Sequence, residues 1–335
     1  PTRENPALRL GAALGGHARE GRDKLTLVLD PRLEALGPWI EQLIAESTGK
    51  EGKGIVPVPG ESLGAPADYG ADRLFVRVAL KSRPDAAVDA KLAALEAAGH
   101  PVVRLELEDE LDLGAQFFVW EAATAAAGLL LGVDPFDQPD VQAAKTRAVE
   151  LLSGPDAGAK AVGKADFRAG GLAAFADPAL VSGLKADPGR DLPLRDVLAA
   201  HLSRVRPGDY VAILAYLAET DESRRALEEV RRLARARGTA PATVSWGPRY
   251  LHSTGQLYKG GSGQGVFLLL SDADPSRLKI PGRPYSFGAV CRAQARGDAA
   301  ATLAAGRRLL RLELGGPEGL RAVANALAAA APAAR

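Results

Sequence analysis

Three short runs place chemistry-bearing side chains at informative spacings. The first is Gln42, then Glu46-Ser47-Thr48-Gly49-Lys50. Glu46 follows Gln42 by four positions, so on a helix they share one face, a turn apart. Glu46 would stand at the helix end beside a glycine turn, where a carboxylate is partly withdrawn from water and suited to general-base work. A solvated surface acid beside a helix cap is the other reading this spacing leaves open. The second run is Phe136-Asp137-Gln138 with Lys145 seven residues beyond Gln138. An amide and an ammonium on the same side of a cleft suit a polyol or a phosphate. A helix-start amide and an exposed lysine would look the same. The third is the polar, glycine-rich segment from Trp246 to Gly261, which holds His252. Loops at strand ends carry sites in α/β proteins. A structural loop histidine is the alternative there. Gly261-Ser262-Gly263-Gln264-Gly265 is not a dinucleotide loop, because a strand follows where a helix is required, and Gly49–Gly54 lacks the spacing and hydroxyl of a phosphate loop.

The elements that must position these residues are legible from periodicity. Pro6–Gly15 reads as a short helix, Lys24–Leu29 as a strand ended by Asp30-Pro31, and Leu33–Thr48 as a helix. In that helix Leu33, Leu36, Ile40, Leu43 and Ile44 fall on one face, and Gly49 follows as a cap. Strands are expected at Gly54–Pro59, Asp72–Leu80 and Val102–Leu107, and helices at Val88–Ala98, Leu113–Leu131 and Gln142–Leu152. Ser153–Pro193 changes character, rich in Gly, Ala, Asp and Pro. Alternation then resumes: a helix at Leu194–Ser203, a strand at Asp209–Leu217, and an Arg-rich helix from Asp221, which is expected to cap it. Strands Thr243–Trp246, Val266–Leu270 and Leu309–Leu314 follow, with helices at Ser286–Gly297, Asp298–Gly306 and Pro317–Ala330. This order implies α/β architecture with mostly parallel sheet. The expected division is a first lobe over 1–155, a connector or insertion over 156–193, and a second α/β lobe over 194–335.

Composition narrows the function classes. The 335 residues carry 42 basic and 41 acidic side chains, a net charge of +1. That balance gives no electrostatic case for nucleic acid or an anionic membrane as a partner. One cysteine, Cys291, excludes an internal disulfide, and four scattered histidines (His17, His100, His201, His252) make no zinc set. No apolar stretch is expected to reach membrane-spanning length. Pro1–Arg9 is polar and unlike a signal peptide, so a cytoplasmic location is expected. The chain does not begin with Met, and is expected to start inside a longer protein or after processing.

Together the first two runs resemble the phosphoglucose isomerases, which carry E-S-N-G-K at a helix end and, later, F-D-Q with a lysine seven residues on. Gln42 also matches the family, and Thr48 replaces its Asn. Tyr250–Gly261 and Ile280–Gly288 are similar to the end of fusions of transaldolase with glucose-6-phosphate isomerase. The resemblance implies sugar-isomerase (SIS) lobes, a parallel-sheet three-layer lobe followed by a second α/β lobe. It implies interconversion of glucose 6-phosphate and fructose 6-phosphate through a cis-enediol, with no metal or other cofactor. By position, Glu46 would be the base. Lys145 would lie near the ring oxygen or the phosphate end. Gln42, Gln138, Ser47 and Thr48 would bind the sugar phosphate. The family's ring-opening histidine sits in a G-Q-H segment before F-D-Q. Here that interval holds His100 alone, in a Gly-His-Pro turn, so His252 is expected to supply the imidazole. The family's phosphate-binding Ser/Thr loop would precede Pro1, implying a missing N-terminal lobe or transaldolase part as partner, and a homo-oligomer. A non-catalytic sugar-phosphate-binding SIS module is the alternative.

Overall fold

The computed structural model describes residues 4–139, 146, 149–152, 164–272 and 278–330. The chain divides into two compact units, one of Pro1–Asp140 with His252–Ser262, the other of Val141–Leu251 with Gly263–Arg335.

The first unit is built on a parallel sheet of order β2-β1-β3-β4, comprising β1 (Lys24–Leu29), β2 (Val56–Pro59), β3 (Arg73–Leu80) and β4 (Val102–Leu107). β1 is sheet interior, with Leu25 set beside Leu74 and Leu27 beside Val76. Its side chains alternate between two covered faces, Leu25 and Leu27 on one and Lys24, Thr26 and Val28 on the other, with Lys24 and Thr26 buried among polar partners. Leu25, Leu27, Leu74 and Val76 pack with α1 (Pro6–Arg19), α2 (Leu36–Thr48) and α4 (Leu113–Leu131). Val28 and Phe75 face Leu92 and Leu95 of α3 (Ala86–Ala97). The result is a three-layer α/β unit.

α2 buries Leu36, Ile40 and Ile44, four residues apart, which is one helical stripe. It starts at Leu36 rather than Leu33, because Asp30 accepts from the Arg32 amide and holds Pro31–Leu33 in a separate 3₁₀ turn. α1 and α4 touch through Gly11, where a Cβ would stand 2.6 Å from the Ala123 carbonyl oxygen. Only glycine permits that backbone approach.

α4 corrects one expectation. With the turn from Glu110 it is long and apolar enough to cross a membrane by length and composition. In the fold it lies on α1 and α2, with Trp120, Ala123 and Ala127 wholly buried.

The second unit holds a seven-stranded sheet of order β7-β5-β6-β11-β10-β8-β9. Its strands are β5 (Phe167–Ala169), β6 (Leu172–Ala176), β7 (Asp191–Leu192), β8 (Tyr210–Tyr216), β9 (Ala242–Trp246), β10 (Gly265–Asp272) and β11 (Arg308–Leu314). β8 to β11 run parallel, and β6 joins antiparallel to β11. Within the stretch read as connector or insertion, residues 164–193 therefore contribute three strands and α5 (Pro178–Leu184). One sheet face, with Ile213, Leu268, Leu310 and Leu312, packs against α5, α6 (Leu194–Leu202), α7 (Asp221–Arg235) and α10 (Pro317–Ala329). α9 (Phe287–Ala304) packs on β8, β10 and β11. It is one continuous helix where two were expected. Gly297 does not break it, because Ala293, Ala295, Gly297 and Asp298 are buried together and packing outweighs the propensity cost. The cap of α7 is Thr220, whose hydroxyl accepts from the Ser223 amide, rather than Asp221. Gln142–Lys145, where a further helix was expected to begin, lie outside the described residues.

Candidate functional site

The first two motif runs meet in the first unit. α2 ends at Thr48, and Gln42 donates through Nε2 to Glu46 Oε2 at 3.3 Å across one turn. Gln42 is exposed, and Glu46 and Ser47 are half-buried. Thr48 is fully buried; its hydroxyl donates to the Ile44 carbonyl at 2.7 Å and accepts from the Ile55 amide at 3.0 Å. That hydroxyl is thus spent on closing the loop from α2 to β2.

Lys50 ties this helix end to the second run. Its side chain is 1% exposed. The ammonium donates to the Asp134 carbonyl at 2.6 Å, to Asp137 Oδ1 at 2.8 Å and to the Asp137 carbonyl. A buried ammonium is tolerated when each of its three hydrogens has an acceptor, as here. Lys53 adds a second tie, donating to the Leu131 carbonyl at 2.9 Å and that of Gly132 at 3.3 Å, where a cation suits the carboxyl end of α4. Within the turn itself the Phe136 amide donates to Asp134 Oδ1 at 2.9 Å. Gln138 follows at once and is exposed, while Lys145 lies outside the described residues.

The third run joins the same unit from far along the chain. It was read as a loop, yet it forms a 3₁₀ turn (Arg249–His252) and a short helix, α8 (Thr254–Gly260). Residues from Ser253 to Lys259 are buried. α8 packs on the end of α2. Gln256, wholly buried, donates through Nε2 to the Gly49 carbonyl at 3.1 Å, and the Gly52 amide donates to the Gly260 carbonyl at 2.8 Å. Contact is so close that a Cβ on Gly49 would lie 2.4 Å from Leu257 Cα.

His252, just before α8, is exposed and shares the unit with Glu46, Gln42 and Gln138. The other histidines serve structure. His100 is buried edge-on to Phe75, ring centres 5.7 Å apart, and burial pushes its pKa down. His201 is wholly buried with Nε2 at 3.0 Å from the Phe267 carbonyl, and His17 lies 3.6 Å from Glu20.

Two participants were missed as such in the sequence. Lys50 stood inside the motif without a role, and Gln256 stood inside the presumed loop. Leu251, Thr254, Leu257 and Tyr258 do recur at helical spacing, a signal hidden by the surrounding glycines.

Chemically, the arrangement presents a half-buried carboxylate oriented by an amide, a second amide on a tethered turn, and an exposed imidazole. It has the parts for general acid–base proton transfer.

No family model matches the chain. It is 34% identical over 160 residues to a protein of Halobacterium salinarum named "Probable glucose-6-phosphate isomerase", a match covering 37% of each chain. A protein of Natronomonas pharaonis with the same name is 34% identical over 192 residues, 46% of this chain and 44% of that one. The "Glucose-6-phosphate isomerase" of Symbiobacterium thermophilum is 31% identical over 188 residues, 45% and 42% respectively. Among solved structures, a hypothetical protein of Thermus thermophilus is 14% identical, covering 96% of this chain and 83% of that one, at a TM-score of 0.33, too low to bear on the fold. The chain thus spans less than half the length of these curated relatives, and it is similar over that part to proteins named as glucose-6-phosphate isomerases.

Proposed function

We propose that the first unit carries the proton-transfer residues of a glucose-6-phosphate isomerase, interconverting glucose 6-phosphate and fructose 6-phosphate through a cis-enediol. The observation that carries this reading is the joining, by Lys50, of the Glu46 helix end to the Phe136-Asp137-Gln138 turn. Identity of 31–34% to proteins bearing that name supports it.

In this reading Glu46 takes the proton from carbon 2 and returns it at carbon 1. A carbon acid beside a carbonyl is weak, so the base must be held within hydrogen-bond reach and partly out of water. Gln42 orients that carboxylate. Gln138 and Ser47 hydrogen-bond the sugar phosphate, and Thr48 shapes the loop behind them. Lys145 serves the ring oxygen or the phosphate end. His252 opens the sugar ring. The finer likeness of Tyr250–Gly261 and Ile280–Gly288 to the end of transaldolase–isomerase fusions supports reading the chain as the isomerase end of such a fusion. The length of the natural gene product tests that.

The test of the reaction is exchange of the carbon-2 hydrogen of glucose 6-phosphate with solvent, measured beside net turnover. Glu46→Gln should lower both by about a thousandfold, the scale of a lost general base. Full turnover in that variant would remove the assignment. Saturable binding of fructose 6-phosphate without exchange in the unaltered protein would replace it with a non-catalytic binding module. His252→Ala should lose activity on the closed sugar far more than on the open-chain form, and equal loss on both would end its ring-opening role.

A further inference from the structure

We propose that Lys50 is a positioning residue, which sets the Phe136-Asp137-Gln138 turn, and with it the Gln138 amide, against the Glu46 end of α2. The inference rests on the isomerase reading for its consequence in catalysis, and on geometry alone for the positioning itself.

The geometry forms a continuous mechanical path. Lys50 follows Glu46 by four residues, and the backbone between them is fixed. The Gly49 amide donates to the Ala45 carbonyl at 3.0 Å, and the Gly49 carbonyl accepts from Gln256 at 3.1 Å. From that anchored point the buried side chain reaches across more than eighty residues of sequence to grip a turn at both ends. One hydrogen goes to the carbonyl of Asp134, where the turn begins, and two go to Asp137, where it closes. The Asp134 side chain braces the interior by accepting from Phe136. One peptide link then leads to Gln138. Phe136 and Gln138 themselves are exposed, and at 86% exposure the Phe136 ring is a poor anchor for the outer side of the turn. Lys50 therefore supplies the directional restraint, since three bonds from one rigidly held group fix orientation as well as distance.

Lys50→Met keeps the apolar stem and removes the ammonium. The Phe136 amide, which the turn holds on Asp134 Oδ1, should exchange at least tenfold faster in this variant, about the effect of one net hydrogen bond lost. With the isomerase reading in force, kcat/KM should fall about a hundredfold. The decisive comparison is the double variant with Gln138→Ala. If Lys50 acts through Gln138, the pair should lose no more than about threefold beyond the worse single variant, since residues acting through one another are not additive. A general loss of stability would instead multiply the two effects. Multiplying losses, or a Phe136 amide that exchanges as in the unaltered protein, would overturn the proposal. Absence of turnover in the unaltered protein would count against the isomerase reading alone, because the exchange measurement does not depend on it. Should Lys50→Met fail to fold, Asp137→Ala removes one of the three bonds from the exposed side, where Asp137 is 55% exposed. Faster exchange of the Phe136 amide is expected there too, and an unchanged rate would reject the restraint.

Discussion

Burial separates the four histidines at the residue scale, and with it their chemistry. His201 sits in α6 with no exposure, its Nε2–H donating to the Phe267 carbonyl at 3.0 Å. Burial, helped by the nearby Arg204 charge, pulls its pKa from 6.5 down to about 3. The native imidazole is thus neutral across a range in which the unfolded one takes up a proton. Stability is full above pH 6.5 and falls as pH drops toward 3. Between pH 7 and pH 5 the loss should be about 2 kcal/mol, from 1.36 kcal/mol per unit over the span below the unfolded value. Urea unfolding at the two pH values measures it, and His201→Gln should flatten the dependence. An unchanged slope in that variant would assign the effect to other groups. His252 is exposed, whereas His17 is half-buried beside Glu20. The sequence pointed to His252 by its polar surroundings, and those surroundings also concealed that its neighbours from Ser253 to Lys259 are buried.

Among the elements, the junction of α2 and α8 is the one on which the candidate site depends. Gly49 is required there by proximity. A methyl group would meet Leu257 Cα at 2.4 Å, Leu257 Cβ at 2.5 Å and the Ala45 carbonyl at 2.6 Å. Two of these atoms belong to the backbone and cannot rotate away. Gly49→Ala should therefore cost about 1–3 kcal/mol, as overpacking does, and should also lower turnover by shifting α8 off the Glu46 helix end. Gly16→Ala makes the control. It lies inside α1, and its added methyl would meet nothing within 4 Å. That variant should be neutral or gain up to about 1 kcal/mol of helix propensity. Equal melting temperatures for the two variants would show that the contact at Gly49 relaxes freely. Strands were the most legible elements. Lys24–Leu29 and Val102–Leu107 coincide with the spans read from their apolar runs, as does the helix Leu113–Leu131. Two elements with glycine inside them were misread, α8 as loop and α9 as two pieces. In both, small residues permit close packing, a gain that local propensity does not register.

On the scale of the whole molecule, alternation of strands and helices announced parallel α/β sheets, and the order β2-β1-β3-β4 follows that pattern. Chain routing was not announced. The bond from Gln256 to Gly49 joins residues 207 apart, and no periodicity reports a partner at that distance. Its effect is testable with fragments. Residues 1–140 alone should melt lower, and bind a hydrophobic dye more, than the same residues joined to 252–262 by a flexible linker. Equal melting temperatures would mean that α8 contributes nothing to the unit.

The same routing orders events during synthesis. The ribosome delivers the strands of the first sheet early, but the helix that buttresses Gly49 emerges only after the residues from Val141 to Leu251. At about 5–20 residues per second this is a wait of roughly ten seconds. The nascent first unit spends that time with an open flank beside Glu46, and a stalled or prematurely released polypeptide would carry the flank permanently uncovered.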